Sequence, residues 1–380
     1  MRSCVILLLP AVARAAKLLL PEMTGGHNVG VTHLEMIDTA RVDPFTAGSN
    51  SRDFMVSIFY PTGPGNDSEL APQFPPKTAT FVDSMFNVST GNAASLTTRA
   101  FLDAPIEHQL VENAPVVLFN HGYGVSRGMY TAVMSELASR GFVVVTADFL
   151  ESPFVEFPDG RTYKPTIPFP TDKAEQAALL QRLLDIRVAD WKFVISQLDT
   201  NQTVLGHIKP AGDHLRLKTD KVVSIGHSFG GASAIQSLLD IRSVVGTVDL
   251  DGALHGDILE VGTALPVLLL GAATHLATDD GAESPAWVML RGWKADFAIK
   301  GSVHYAYSDY PFFADLLPGN NIGPAYLGNV TGTRMTQIMA VYSEAFVSKL
   351  VSGVDDRREL LGSNTTCFPE VVLRQVVGVL

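Results

Sequence analysis

The sequence predicts an α/β fold built on a mostly parallel central sheet with helices on both faces. Three observations carry that expectation. Short runs rich in Val, Ile and Leu recur along the chain without apolar–polar alternation, as in strands buried on both faces. Segments of helical periodicity lie between those runs. Hydrophobic residues make up 46% of the 380 residues and charged residues 18%, which supplies such a core and excludes a disordered chain.

The elements follow in order. Strands are expected at 56–60, 116–119, 142–146, 221–225, 244–248 and 266–270. Helices are expected at 129–139, 174–198, 231–239 and 335–351. The long second helix shows its apolar stripe at Leu180, Leu184, Val188, Trp191, Ile195 and Leu198, three or four residues apart. Asp172 and Glu175 supply its start signal. Segments 61–115 and 151–170 are Pro-rich and read as irregular excursions over the sheet, around a site. No repeat or linker divides the chain, so 16–380 reads as one catalytic domain.

Residues 1–15 read as a signal peptide. Arg2 gives a positive start, 4–12 is apolar, and Ala13-Arg14-Ala15 has the form of a cleavage site. No stretch reaches the roughly 20 apolar residues of a transmembrane span. Asn66, Asn87, Asn201, Asn329 and Asn364 each open an N-x-[ST] sequon, where the composition predicts about 1.6 by chance. A secreted glycoprotein is therefore expected. Net charge is −11 with no Lys/Arg run, which argues against nucleic-acid binding. Two cysteines, Cys4 and Cys367, are too few for a disulfide framework or a zinc site.

The motif that carries chemistry is Gly226-His227-Ser228-Phe229-Gly230, followed by Gly231, between a buried strand and a helix. G-x-S-x-G in that context forms a sharp turn that lifts a serine above the sheet edge. Glycines are needed because side chains at 226 and 230 would meet neighbouring backbone. The helix N-terminus behind Ser228 offers N–H groups to an oxyanion. A nucleophilic serine needs a base, and the base an orienting acid, in the order Ser, acid, His. Of His255, His275 and His304, His304 is the expected base, because it follows a short late run and precedes the last helix; His255 leaves little chain for an acid before it, and His275, directly after 266–270, is a weaker candidate. Candidate acids are Asp249 and Asp251 after one strand, and Asp279 and Asp280 after the next. Strand alternation puts Asp249 and Asp251 on one face and cannot separate them. A second oxyanion donor should come from the glycine-flanked turn Asn120-His121-Gly122-Tyr123-Gly124, which pairs the Tyr123 N–H with that of Phe229. His121 and His227 read as braces for these turns. No metal or cofactor motif competes, so catalysis is expected to need neither.

These residues resemble a known family. The segments PVVLFNHGYG at 115–124, ELASRGFVVVTAD at 136–148, GHSFGGASAIQSLL at 226–239, TVDLDG at 247–252 and KGSVH at 300–304 are similar to the platelet-activating-factor acetylhydrolases of the α/β-hydrolase fold. The resemblance spans most of 28–310. It implies a calcium-independent serine esterase that removes short or oxidised sn-2 acyl chains from glycerophospholipids, in contact with a lipid surface. Carried over by position, Ser228 is the nucleophile, Asp251 the acid, His304 the base, and Tyr123 and Phe229 the oxyanion donors. The chain departs from the family pattern at Ala253, where an aromatic is usual, and at Tyr123, where a smaller aliphatic is usual.

Overall fold

The computed structural model describes residues 17–44, 50–64, 68–200, 204–206, 215–275, 285–355, 357–363 and 366–380. The expected leader at 1–15, the sequons of Asn66, Asn201 and Asn364, and Asp279 and Asp280 lie outside the described residues.

In chain order the strands are β1 (Leu18–Leu19), β2 (Asn28–Val42), β3 (Ser51–Thr62), β4 (Leu70–Pro72), β5 (Leu96–Leu102), β6 (Pro115–Asn120), β7 (Val143–Ala147), β8 (Val155–Glu156), β9 (Thr162–Tyr163), β10 (Lys218–His227), β11 (Val244–Leu250), β12 (Val267–Ala272), β13 (Lys294–Ile299) and β14 (Val371–Val377). The helices are α1 (Pro76–Met85), α2 (His108–Val111), α3 (Thr131–Ser139), α4 (Lys173–Thr200), α5 (Phe229–Asp240), α6 (Ile258–Val261), α7 (Pro285–Met289), α8 (Tyr310–Leu316), α9 (Gly332–Val347) and α10 (Arg358–Gly362).

The main sheet runs β1-β5-β2-β3-β7-β6-β10-β11-β12-β13-β14. From β7 to β13 every neighbour is parallel, while β3 joins β7, β2 joins β3, and β14 joins β13 antiparallel. Every expected strand is present. Successive residues of the central strands fill opposite cores. Val117, Phe119, Val223 and Ile225 pack with α3 and α9 residues such as Met134, Leu137 and Phe346. Val116, Leu118 and Val222 pack on the other face with Val188, Trp191 and Ile235 from α4 and α5. Both faces are dry, which is why these strands read as continuous apolar runs.

Asp172 caps α4, its Oδ1 accepting the N–H groups of Ala174 (2.9 Å) and Glu175 (3.0 Å). The stripe of α4 differs from the expected one at its ends. Leu184, Val188, Trp191 and Leu198 are buried, but Val194 takes the place of half-buried Ile195, and two charged residues, Arg187 and Asp190, are fully buried. Segment 61–115 is also more regular than expected. It contains β4, α1, β5 and α2, and β5 extends the sheet beside β2. β4 has only three residues, and β5 is interrupted by Thr97, Thr98 and Arg99, so no apolar run marks them. The 151–170 excursion is largely irregular and folds into the β8–β9 hairpin.

Candidate active site

Parallel pairing brings the carboxyl ends of β6, β10, β11 and β12 to one edge of the sheet. Gly226 of β10 lies opposite Asn120 of β6, and His227 opposite Leu250 of β11. Each of these strands therefore delivers its following residue to the same place.

After β10 the chain turns sharply. Ser228 takes φ 59° and ψ −127°, a conformation that L-residues seldom adopt. Its N–H is held by the Leu250 carbonyl at 3.0 Å, and its carbonyl starts α5 by accepting from Gly231 at 2.8 Å. A Cβ on Gly226 would lie 2.0 Å from the Gly230 oxygen, and one on Gly230 would lie 2.2 Å from the Asn120 oxygen. The turn closes only with glycine at both positions.

Ser228 Oγ lies 2.9 Å from His304 Nε2, and His304 Nδ1 lies 2.7 Å from Asp251 Oδ2. Asp251 follows the last residue of β11 and takes φ 52°. Its Oδ1 accepts the Ala272 N–H at 2.6 Å and lies 3.0 Å from His275 Nδ1. Burial alone raises the pKa of this carboxyl, but the hydrogen bonds from His275, His304 and the Ala272 amide outweigh it and hold the group well below the ordinary carboxylate range. Asp251 is thus a carboxylate at any physiological pH. Asp249 is turned elsewhere. Its Oδ1 accepts the Gly252 N–H at 2.9 Å and fills the space where a Cβ of Gly231 would lie.

The turn after β6 lies against the serine. A Cβ on Gly122 would be 3.3 Å from Ser228 Cβ and 3.2 Å from the Tyr130 hydroxyl. Tyr123, the next residue, packs edge-on against Phe229 (6.0 Å) and Phe169 (5.7 Å). The Phe229 N–H opens α5 and so has no partner within the helix.

Two histidines brace the turns. The Gly122 N–H donates to the Tyr130 hydroxyl (3.0 Å), which lies 2.9 Å from His227 Nδ1. His227 Nε2 lies 2.9 Å from the His304 carbonyl, which only accepts, so the imidazole proton is on Nε2 and Tyr130 donates to Nδ1. Burial, together with the nearby His304, lowers the pKa of His227 to about 3, so it stays neutral. His121 lies 2.8 Å from the Gly122 carbonyl through Nδ1, while Nε2 accepts the Phe149 N–H at 3.2 Å.

Sequence reasoning missed three supports. Tyr130 links the two turns. His275, read as a weaker base candidate, instead shares the Asp251 carboxylate. Arg187 of α4, fully buried, donates to Glu151 and to the His121 carbonyl (2.8 Å). Arg187 and Glu151 carry no local signal, since one is in a helix stripe and the other in a loop far away in sequence. Among the described residues no cluster of His, Cys, Asp or Glu could hold a metal ion. No helix there is long and apolar enough to cross a membrane. Asn87 and Asn329 are both exposed.

The comparisons agree with this architecture. A solved ferulic acid esterase from Streptomyces cinnamoneus, an α/β-hydrolase, superposes with a TM-score of 0.77 at 27% identity, over 95% of this chain and 100% of that one. A probable 1-alkyl-2-acetylglycerophosphocholine esterase of Arthroderma benhamiae is 26% identical over 93% of both chains. A platelet-activating factor acetylhydrolase of Cavia porcellus is 24% identical over 69% of this chain and 64% of its own length. The family model for platelet-activating factor acetylhydrolase, isoform II, matches residues 12–152 and 173–358. With its mostly parallel sheet and most of its length matched, the chain belongs to the isoform II platelet-activating factor acetylhydrolase family of α/β-hydrolase esterases.

Proposed function

We infer that the protein is a serine esterase that hydrolyses the short or oxidised sn-2 acyl ester of glycerophospholipids such as 1-alkyl-2-acetylglycerophosphocholine, using Ser228, Asp251 and His304. The observation that carries this reading is the unbroken relay from Ser228 Oγ through His304 to Asp251, on a turn that holds the serine at positive φ. Ser228 is half-buried and the His304 side chain 43% exposed, so a substrate can reach both.

The geometry supports two half-reactions. Ser228 Oγ attacks the ester carbonyl carbon while His304 Nε2 takes its proton. Asp251 holds the ring with its other nitrogen protonated and stabilises the imidazolium. The N–H groups of Tyr123 and Phe229 receive the oxyanion. On collapse the C–O bond to the glycerol oxygen breaks, and His304 gives its proton to that oxygen. Water then repeats the sequence on the acyl-serine: His304 takes a proton from it, and the acid leaves with Ser228 restored. Apart from the attacking water, the chain supplies the nucleophile, base, acid and oxyanion donors that these steps use.

The aromatic cluster of Tyr123, Phe169 and Phe229 favours one second reading, an esterase for simple or aryl esters, in keeping with the ferulic acid esterase as structural neighbour. Hydrolysis of an sn-2 acetyl phospholipid, a butyrate ester and a methyl ferulate by the same preparation separates the two. The lipid reading expects kcat/KM to be highest for the phospholipid. Higher kcat/KM for the ferulate or the butyrate replaces it with the second.

The leader-like residues 1–15 and the five sequons support secretion with N-glycosylation. Protein recovered from culture medium of an expressing eukaryotic host should lose apparent mass on treatment with an N-glycosidase. Retention in the cell with no mass shift removes this part of the reading.

A further inference from the structure

A cavity of about 290 Å³ lies on the β2–β3–β7 side of the molecule, and none of Ser228, Asp251, His304, Tyr123 or Phe229 lines it. Its walls are mainly apolar, with Met55, Phe59, Phe74, Met134, Phe154 and Phe157 prominent. Its cover is α1 with the β8–β9 hairpin. Phe81 stacks on Phe154 at 5.1 Å, the Lys164 ammonium sits over both rings, and Glu156 caps α1 by accepting the Thr78 N–H at 2.8 Å. The excursion at 151–170 thus covers a space, as its Pro-rich, irregular sequence suggests for a site.

One end of this cavity is polar and ordered. His33 and Ser57 are directly paired across β2 and β3. Ser57 is buried and has two partners among the described residues: its Oγ accepts the Arg127 Nε–H at 2.8 Å, and its own proton, with no other acceptor there, goes to His33 Nδ1 at 2.7 Å. That fixes the imidazole proton on Nε2, where it has no partner among the described residues. The ring lines the cavity and is open to it. Desolvation by the surrounding walls, with Arg127 adding to it, holds the His33 pKa below the ordinary imidazole range, so the ring, though open to the cavity, is a neutral donor. Arg127 is matched by the Asp148 carboxylate, and Glu156 is engaged by the Thr78 amide at the start of α1. A half-buried space with apolar walls and one fixed donor has the composition of a small-molecule site.

The geometry points to a second ligand site in this cavity, for an uncharged molecule with an apolar body and one oxygen acceptor, a ketone, ester or alcohol, that accepts the His33 Nε2–H. A carboxylate of the same length is disfavoured because the one cation among the described residues of the lining, Arg127, is already paired with Asp148 and leaves no charge partner for it. The site stands independently of the esterase reading, because it uses none of that reading's residues.

The test uses the full-length Ser228→Ala protein, so that no probe reacts at the serine. Octan-2-one and octanoate are titrated by calorimetry and by saturation-transfer NMR. One equivalent of octan-2-one should bind, with octanoate at least tenfold weaker. His33→Phe should weaken octan-2-one about fivefold to tenfold, the usual worth of one neutral hydrogen bond. His33→Gln, which keeps a donor, should stay within about twofold. Leu102→Trp, which fills the cavity from its lining, should abolish binding. If Leu102→Trp fails to fold, the two His33 variants decide, since that ring already faces open space. Absence of octan-2-one binding, equal or tighter binding of octanoate, or binding unchanged in His33→Phe overturns the proposal.

Discussion

His275 Nδ1 lies 3.0 Å from Asp251 Oδ1, on the carboxylate oxygen that His304 does not contact. The acid is therefore held from both sides, by one histidine that reaches Ser228 and one that does not. Each N–H bond to the carboxylate stabilises its charge and fixes its plane. Asp251→Asn should lower kcat roughly 10⁴-fold, by analogy with the same change at the triad acid of serine proteases. His275→Ala should cost about tenfold in kcat with KM nearly unchanged, because Asp251 stays ionised and in contact with His304. Steady-state kinetics of both variants, with a thermal melt of each, checks this. A His275→Ala enzyme with full kcat would show that the second histidine does nothing for the acid.

Ser228 and His304 should behave as one unit. Ser228→Ala should lower kcat by a factor on the order of 10⁶, and adding His304→Ala should cost little more. The measurement is the double-mutant cycle on a chromogenic acetate ester. Additive losses would mean that one of the two residues has another role.

Acyl length should be limited. Tyr123 and Phe229 stand edge to face at 6.0 Å beside the oxyanion turn. Acetyl to butyryl esters should be turned over faster than palmitoyl esters, since each methylene left outside loses about 0.8 kcal/mol of burial. Rates on a p-nitrophenyl ester series give the profile. Rates that rise steadily to palmitoyl would point to a lipase. Tyr123→Ala should move the optimum to longer chains.

Stability should fall as pH rises through neutrality, because of Asp309. Burial raises its pKa to about 7, against opposing hydrogen bonds from the Ala132 and Thr131 amides and Gln73. In the unfolded chain an aspartate titrates near 3.9. The folded state therefore binds the proton more tightly, so this contribution is complete below about pH 4 and is lost as pH rises toward and through about 7. Its full size is on the order of 4 kcal/mol. Asp309→Asn should lag behind wild type in Tm at pH 5 and gain on it by pH 8. A Tm difference that does not change with pH would rule the titration out. Because Asp309 accepts from α3 and stands five residues after His304, the same titration should loosen the His304 loop.

Features that depend on neighbours along the chain are legible in the sequence alone. The apolar runs specify β6, β7, β10, β11 and β12, because a strand buried on both faces cannot alternate. The glycines at 226 and 230 specify the turn, because no Cβ fits there. Chain order specifies His304 ahead of His255 and His275. Features that depend on distant residues come from the packing. Asp249 and Asp251 share a strand face by count, yet Asp251 lies past the end of β11 at positive φ and turns to His304, while Asp249 stays in the pleat beneath α5. Arg187 and Asp190 fall among the buried residues of a helix whose sequence shows only an amphipathic stripe, because Glu151, Arg41 and Arg52 arrive from elsewhere to neutralise them. His275 and the His33 cavity are of the same kind. A hydrogen-bond partner or an empty volume belongs to the packing of several elements, and no periodicity along one of them records it.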